Sequence, residues 1–104
     1  MSKQYHKLVR DRIPQIIEST GKTCRTEILD EETYLQLLDE KLNEELAEYQ
    51  ESKSLEELAD LLEVMEAVVA ARGYAWEQLQ EIKEEKKTAR GGFAEKILLL
   101  EVSE

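Results

Sequence analysis

Hydrophobic residues recur at spacings of three and four over residues 34–49, which is the pattern of one face of an amphipathic helix. The stripe comprises Tyr34, Leu35, Leu38, Leu42, Leu46 and Tyr49. Asp30 precedes it as an N-cap residue, and acidic Glu31 and Glu32 suit the positive end of a helix. The pattern predicts a helix from about residue 31 to 51.

A second helix is predicted to begin after Ser54, because Ser54 and Glu57 have the spacing of a capping box. It should end at Arg72-Gly73. This helix is apolar around much of its circumference, so we expect cover on more than one side. A surplus stripe would include some of Leu61, Val64, Val68 and Val69. Monomers seldom expose such a patch, which predicts a homodimer or a larger even-numbered assembly.

The ends of the chain predict shorter elements around these two helices. Pro14 suits the start of a short helix that Gly21 closes, and a further helix is expected over residues 76–89. Residues 23–29 and 93–102 have the composition of strands and are expected to pair as a two-stranded β-ribbon. We therefore expect one mainly α domain over residues 1–104, an antiparallel helical bundle with that ribbon.

Charge and cysteine content restrict the function classes. The net charge of −10 argues against nonspecific binding to nucleic acid or to an anionic membrane. Cys24 is the lone cysteine, which fits a reducing cytosol. The chain shows no leader pattern and no apolar run of transmembrane length. We expect a cytoplasmic protein whose partners are a small molecule and its own copies.

Two carboxylate pairs lie on either side of the predicted bend between the long helices. They are Glu45-x-x-Glu48 and Glu57-x-x-Asp60, and each spacing places its pair on one helix face. In an antiparallel hairpin Glu48 should face Glu57 and Glu45 should face Asp60. Four converging carboxylates predict a bound cation, and oxygen-only ligands suit Mg²⁺ or Mn²⁺. The alternative is a solvated acidic face, with Glu57 serving only as a capping residue.

The same stretch resembles the signature of the MazG-like all-α NTP pyrophosphohydrolases, a KLxEExxE helix followed by an ExxD helix. Here it reads KLNEELAE over residues 41–48 and ELAD over residues 57–60. Residues 5–14, YHKLVRDRIP, and residues 86–93, KKTARGGF, resemble the phosphoribosyl-ATP pyrophosphohydrolase-like branch. The interval over residues 49–56 is shorter than in many relatives, which would narrow the site or reduce its breadth of substrates.

The resemblance implies a bundle of the all-α NTP pyrophosphohydrolase type. It also implies Mg²⁺-dependent (or Mn²⁺-dependent) cleavage of the α–β phosphoanhydride of an NTP, a non-canonical NTP or a phosphoribosyl-ATP-like nucleotide. The products would be the monophosphate and pyrophosphate. Glu45, Glu48, Glu57 and Asp60 would be the catalytic metal ligands, with Glu44 as an additional or supporting ligand.

Five basic residues are candidates for contact with substrate phosphates, namely Lys7, Arg10, Arg12, Lys41 and Arg90. Each has a plainer alternative: surface ion pairs for the first four and a helix stop for the last. An acidic helical interaction module without catalysis is the rival for the whole chain. A di-iron carboxylate bundle would need Glu-x-x-His pairs, and His6, the sole histidine, lies outside both long helices.

Overall fold

Four α-helices and no β-strands occur in residues 4–104, the part of the chain that the computed structural model describes. The helices are α1 (Ile13–Ser19), α2 (Glu31–Ser52), α3 (Leu55–Ala71) and α4 (Trp76–Arg90). The mainly helical fold predicted from the sequence is confirmed. None of these four helices is both long and apolar enough to cross a lipid bilayer.

Local hydrogen bonds define the hairpin between α2 and α3. The Asp30 carboxylate accepts a hydrogen bond from the Thr33 N–H at 2.8 Å, as expected for an N-cap. At the other end, Lys53 adopts the left-handed conformation (φ 56°) and donates its N–H to the Tyr49 carbonyl at 2.7 Å. Since only residues 53 and 54 separate the helices, α3 runs back along α2.

The core lies between α2 and α3. Leu38 on α2 and Val64 on α3 are the buried hydrophobic residues in the described chain. Helix α4 makes a small contact with α3, and the backbone of α1 approaches no other helix closely in residues 4–104. The α2–α3 hairpin is therefore the one extensively packed pair of helices in residues 4–104.

The surplus apolar stripe of α3 differs from the predicted one. Of its four candidate residues, Val64 is buried within the chain, and Leu61, Val68 and Val69 are half-buried. The exposed row consists instead of Leu55, Leu58, Leu62 and Met65. The difference arises because α2 covers the side of α3 that carries Val64, and α4 covers little of the rest.

The predicted β-ribbon is wrong for the single chain. Residues 22–30 and 94–104 form no strand, and residues 97–100 are 75–86% exposed. A two-stranded ribbon has little stability unless its apolar side packs on another element. Nothing in the described chain provides such cover, so both segments stay unpaired, and residues 93–96 form a turn closed by the hydrogen bond from the Lys96 N–H to the Phe93 carbonyl.

Leu38→Ala should destabilise the chain by about 2–5 kcal/mol, because it removes a buried side chain and leaves a cavity in a small core. Gln36→Ala on the exposed side of the same helix is the control and should cost little. Urea unfolding followed by circular dichroism, at one protein concentration, measures both. Equal losses in the two variants would contradict the placement of the core.

Candidate metal centre

The hairpin brings three of the four predicted carboxylates into one cluster, which we call the carboxylate triad. Glu45 comes from α2, and Glu57 and Asp60 come from the first two turns of α3. One oxygen of each lies within 4.8 Å of the others. The two helix spacings and the two-residue turn are sufficient to produce this convergence.

Two oxygens of the triad are buried without a hydrogen-bond partner. Glu45 is only 6% exposed, and its Oε2 has no donor. Glu57 Oε2 is also inaccessible and unpaired. An unpaired buried carboxylate oxygen is costly, and native proteins seldom retain one without a ligand or a functional reason.

The Glu57 carboxylate does not take part in the N-terminal cap of α3. The Ser54 hydroxyl accepts a hydrogen bond from the Glu57 N–H at 3.3 Å, which is one half of the expected capping box. The other half is missing, because the Ser54 N–H bonds to the Ser52 hydroxyl at 3.2 Å and not to the Glu57 carboxylate. The side chain of Glu57 therefore stays available to the triad.

Glu48 is exposed and lies beside the triad, outside its compact group. Burial is the main cause that raises the pKa of Glu45, and the neighbouring charge of Glu48 raises this pKa further. The pKa of Glu57 is raised by burial first and by Glu48 next. Like charges thus crowd this end of the hairpin, as the sequence predicts.

Two lysines neutralise the α2 side of the site at Glu44. Lys41 Nζ lies 3.0 Å from Glu44 and 3.5 Å from Glu45, and Lys7 Nζ lies 3.4 Å from Glu44. Burial acts to raise the pKa of Glu44, but its bonds and charge interactions with both lysines outweigh it, so the pKa is lowered. Burial lowers the pKa of Lys41, but Glu44 and Glu45 outweigh it and raise this pKa overall. Glu44 is thus a partner for lysines and is not a member of the triad.

Arg10 neutralises the α3 side. Its guanidinium lies 2.7 Å from Asp60 and 3.3 Å from Glu63, and the hydrogen bond with Asp60 is the main cause that raises its pKa. Glu63 was not predicted as a site residue. Its signal in the sequence is the repeat of the i, i+3 spacing, Asp60-x-x-Glu63, which continues the acidic row by one turn.

The remaining two basic candidates lie apart from the triad. Arg12 lines an open depression with Gln15, Ile16 and Ser19, and no carboxylate of the triad borders it. Arg90 is the last residue of α4 and exposed. Neither residue forms an ion pair within residues 4–104.

The donor set of the triad fits a hard divalent cation. All its ligand atoms are carboxylate oxygens, and neither histidine nor cysteine belongs to the cluster. Mg²⁺ and Mn²⁺ prefer such ligands, whereas Zn²⁺ sites draw on nitrogen and sulfur. The two unpaired oxygens are the atoms such a cation would satisfy.

Comparisons with known proteins identify no family. No family model matches the chain, and no solved structure matches it. An uncharacterised protein of Mycolicibacterium smegmatis is 49% identical over 41 residues, which are 39% of this chain and 42% of that protein. The match therefore covers less than half of either protein and carries no functional information.

Metal-free Glu45→Gln should become more stable than the wild type as the pH rises. The pKa of Glu45 is raised in the folded state from 4.5, so its proton is held more tightly there than in the unfolded chain. Its contribution to stability is present below pH 4.5 and is lost as the pH rises through the raised value. Removal of the charge should therefore matter little in acid and stabilise the chain at neutral pH.

Urea unfolding in a chelating buffer, repeated from acid to neutral pH, gives the difference in free energy of unfolding between the variant and the wild type. Glu66→Gln is a matched control, because Glu66 is an exposed carboxylate of α3, the other helix of the hairpin, and lies outside the triad. If the difference in free energy of unfolding between Glu45→Gln and the wild type did not change with pH, the surroundings of Glu45 would not disfavour its ionised form.

Proposed function

We propose that this chain is a divalent-metal-dependent nucleotide pyrophosphohydrolase of the all-α type. The observation that supports the proposal best is the carboxylate triad with its two buried, unpaired oxygens. The substrate class comes from the resemblance of residues 41–60, 5–14 and 86–93 to the MazG-like enzymes. The reaction would convert an NTP or a phosphoribosyl-ATP-like nucleotide to its monophosphate and pyrophosphate.

Glu45, Glu57 and Asp60 would hold the cation. When bound, Mg²⁺ supplies positive charge that polarises phosphate oxygens and stabilises charge on the leaving group. Since the chain has a net charge of −10, a polyanionic nucleotide needs local attraction as well. Lys7, Lys41 and Arg10 provide it, because their ion pairs hold them at the edge of the triad.

Glu48 is best placed to take a proton. It is exposed, it lies outside the compact triad, and it interacts with both Glu45 and Glu57. In the proposed reaction a water oxygen attacks the α-phosphorus and the bridging oxygen leaves with pyrophosphate. Glu48 would accept the proton of this water as the general base.

The proposal also places the chain in the cytoplasm, in keeping with its single, half-buried cysteine, Cys24. In such a compartment the thiol stays reduced, and its contact with the Pro14 carbonyl at 3.7 Å can be kept.

Mg²⁺ should stabilise the wild-type chain against heat and urea, by about 2.7 kcal/mol when its concentration is a hundred times the dissociation constant. Glu45→Gln and Asp60→Asn should abolish this gain, since each removes an anionic ligand at nearly constant volume. Glu66→Gln should keep it. Equal stabilisation of all four proteins would place the cation elsewhere, and no stabilisation of the wild type would favour the interaction-module alternative.

Turnover of a nucleoside triphosphate with Mg²⁺ should release pyrophosphate and the monophosphate as the primary products. Phosphorus NMR of the reaction mixture separates them from orthophosphate and a diphosphate, the products of attack at the γ-phosphorus. Glu45→Gln and Asp60→Asn should be inactive, and Glu48→Gln should lose most activity while it keeps the stabilisation by Mg²⁺. Orthophosphate as the sole primary product would contradict the proposed bond cleavage.

A further inference from the structure

The single chain exposes far more surface than a compact protein of its size. Its accessible surface is 9768 Å², whereas about 6000 Å² is typical for a folded monomer of 12.1 kDa. Its radius of gyration is 18.6 Å, against about 13 Å for a compact domain of this length. An excess of this size is larger than a standard protein–protein interface requires from each partner.

The excess surface is apolar in two places. One is the α3 row of Leu55, Leu58, Leu62 and Met65, whose members are 38–78% exposed. The other is residues 93–102, which we call the C-terminal arm. Its large apolar side chains are 75–98% exposed, and they are Phe93, Ile97, Leu98, Leu99, Leu100 and Val102.

The arm and the α3 row match in length. Residues 55 to 65 of a helix span about 15 Å at 1.5 Å per residue. Residues 97 to 102 in extended conformation span about 17 Å at 3.3 Å per residue. Four consecutive apolar residues at 97–100 make both sides of an extended segment apolar, which is typical of a strand buried on both sides.

The chain does not cover either surface by itself. The arm follows α4 after Gly91 and Gly92, and α4 makes only a small contact with α3. The described chain extends over 64 Å in its longest dimension, and the large apolar side chains of the arm are 75–98% exposed. Both apolar surfaces would be buried if the arm of one copy packed on the α3 row of another copy. In a dimer with a two-fold axis, this contact forms twice and buries both surfaces of both copies.

We propose that two copies of this chain form a dimer by exchange of their C-terminal arms, each arm packing on the exposed α3 row of the other copy. The α3 row lies on a face of the helix different from that of Glu57 and Asp60, because residues one or two positions apart on a helix point in different directions. This inference concerns assembly and does not depend on the proposed enzymatic activity.

Cross-linking of full-length chains tests which surfaces meet. Two variants are made in a Cys24→Ser background, Leu62→Cys on α3 and Leu99→Cys on the arm. They are mixed, unfolded and refolded together, and treated with a short thiol-reactive cross-linker. The mixture should give a product at twice the chain mass of 12.1 kDa that contains one copy of each variant. Gln80→Cys on the exposed face of α4, mixed with Leu99→Cys, is the control and should give no such product.

Three results would overturn the exchange. A double variant, Leu62→Cys with Leu99→Cys, that links within one chain would place the arm on its own α3. Efficient linking of Leu62→Cys to itself, without the mixed product, would mean that α3 packs on α3. A wild-type chain that sediments at 12.1 kDa at micromolar concentration would exclude a dimer.

A substitution on the arm gives an independent measurement. Leu99→Glu should halve the sedimenting mass, because it places a charge in the apolar contact. Ser103→Glu adds the same charge beyond the apolar part of the same arm and should leave the mass unchanged. Circular dichroism confirms that both variants keep their helices. The same mass for Leu99→Glu as for wild type would remove the arm from the interface.

Discussion

The packing of α2 on α3 is the interaction on which the rest of this structure depends. It forms the hydrophobic core and also forces Glu45, Glu57 and Asp60 together. The packing of the two helices thus holds like charges close together in spite of their electrostatic repulsion. Residues that conflict with stability in this way are typical of functional sites, where a ligand removes the conflict. The cluster is consequently the best indication of function in the chain.

The basic residues around the triad are arranged unevenly. Lys7 and Lys41 pair with Glu44, and Arg10 pairs with Asp60 and Glu63. By contrast, no side chain pairs with Oε2 of Glu45 or with Oε2 of Glu57. These pairs are partly exposed, so each is worth less than about 1 kcal/mol and can be exchanged readily. A cation that enters the triad would release Asp60 from Arg10 and free that guanidinium to meet a phosphate. The charge pattern therefore suits a site that takes up a metal and a polyanion together.

The sequence predicts well what short-range chemistry decides. Asp30 and Ser54 mark the starts of α2 and α3, and the carboxylate spacings place the triad, because caps and helix periodicity depend on neighbours in the chain. The β-ribbon was wrong, and the exposed row of α3 has other members than the residues named from the sequence, because both depend on which surfaces meet over long distances. The pairing of Arg10 with Glu63, 53 residues apart, was unforeseen for the same reason. A local pattern cannot tell whether an apolar segment is covered by its own chain or by another.

Anomalous X-ray scattering from crystals grown with Mn²⁺ tests the central claim most directly, because it locates the ion without reference to activity. The account predicts a peak between the α2 and α3 carboxylates, in contact with oxygens of Glu45, Glu57 and Asp60. The same experiment on Glu45→Gln should show this peak lost or greatly reduced. A wild-type crystal with no peak at the triad, or with Mn²⁺ bound only elsewhere, would contradict the assignment of these carboxylates as a metal centre.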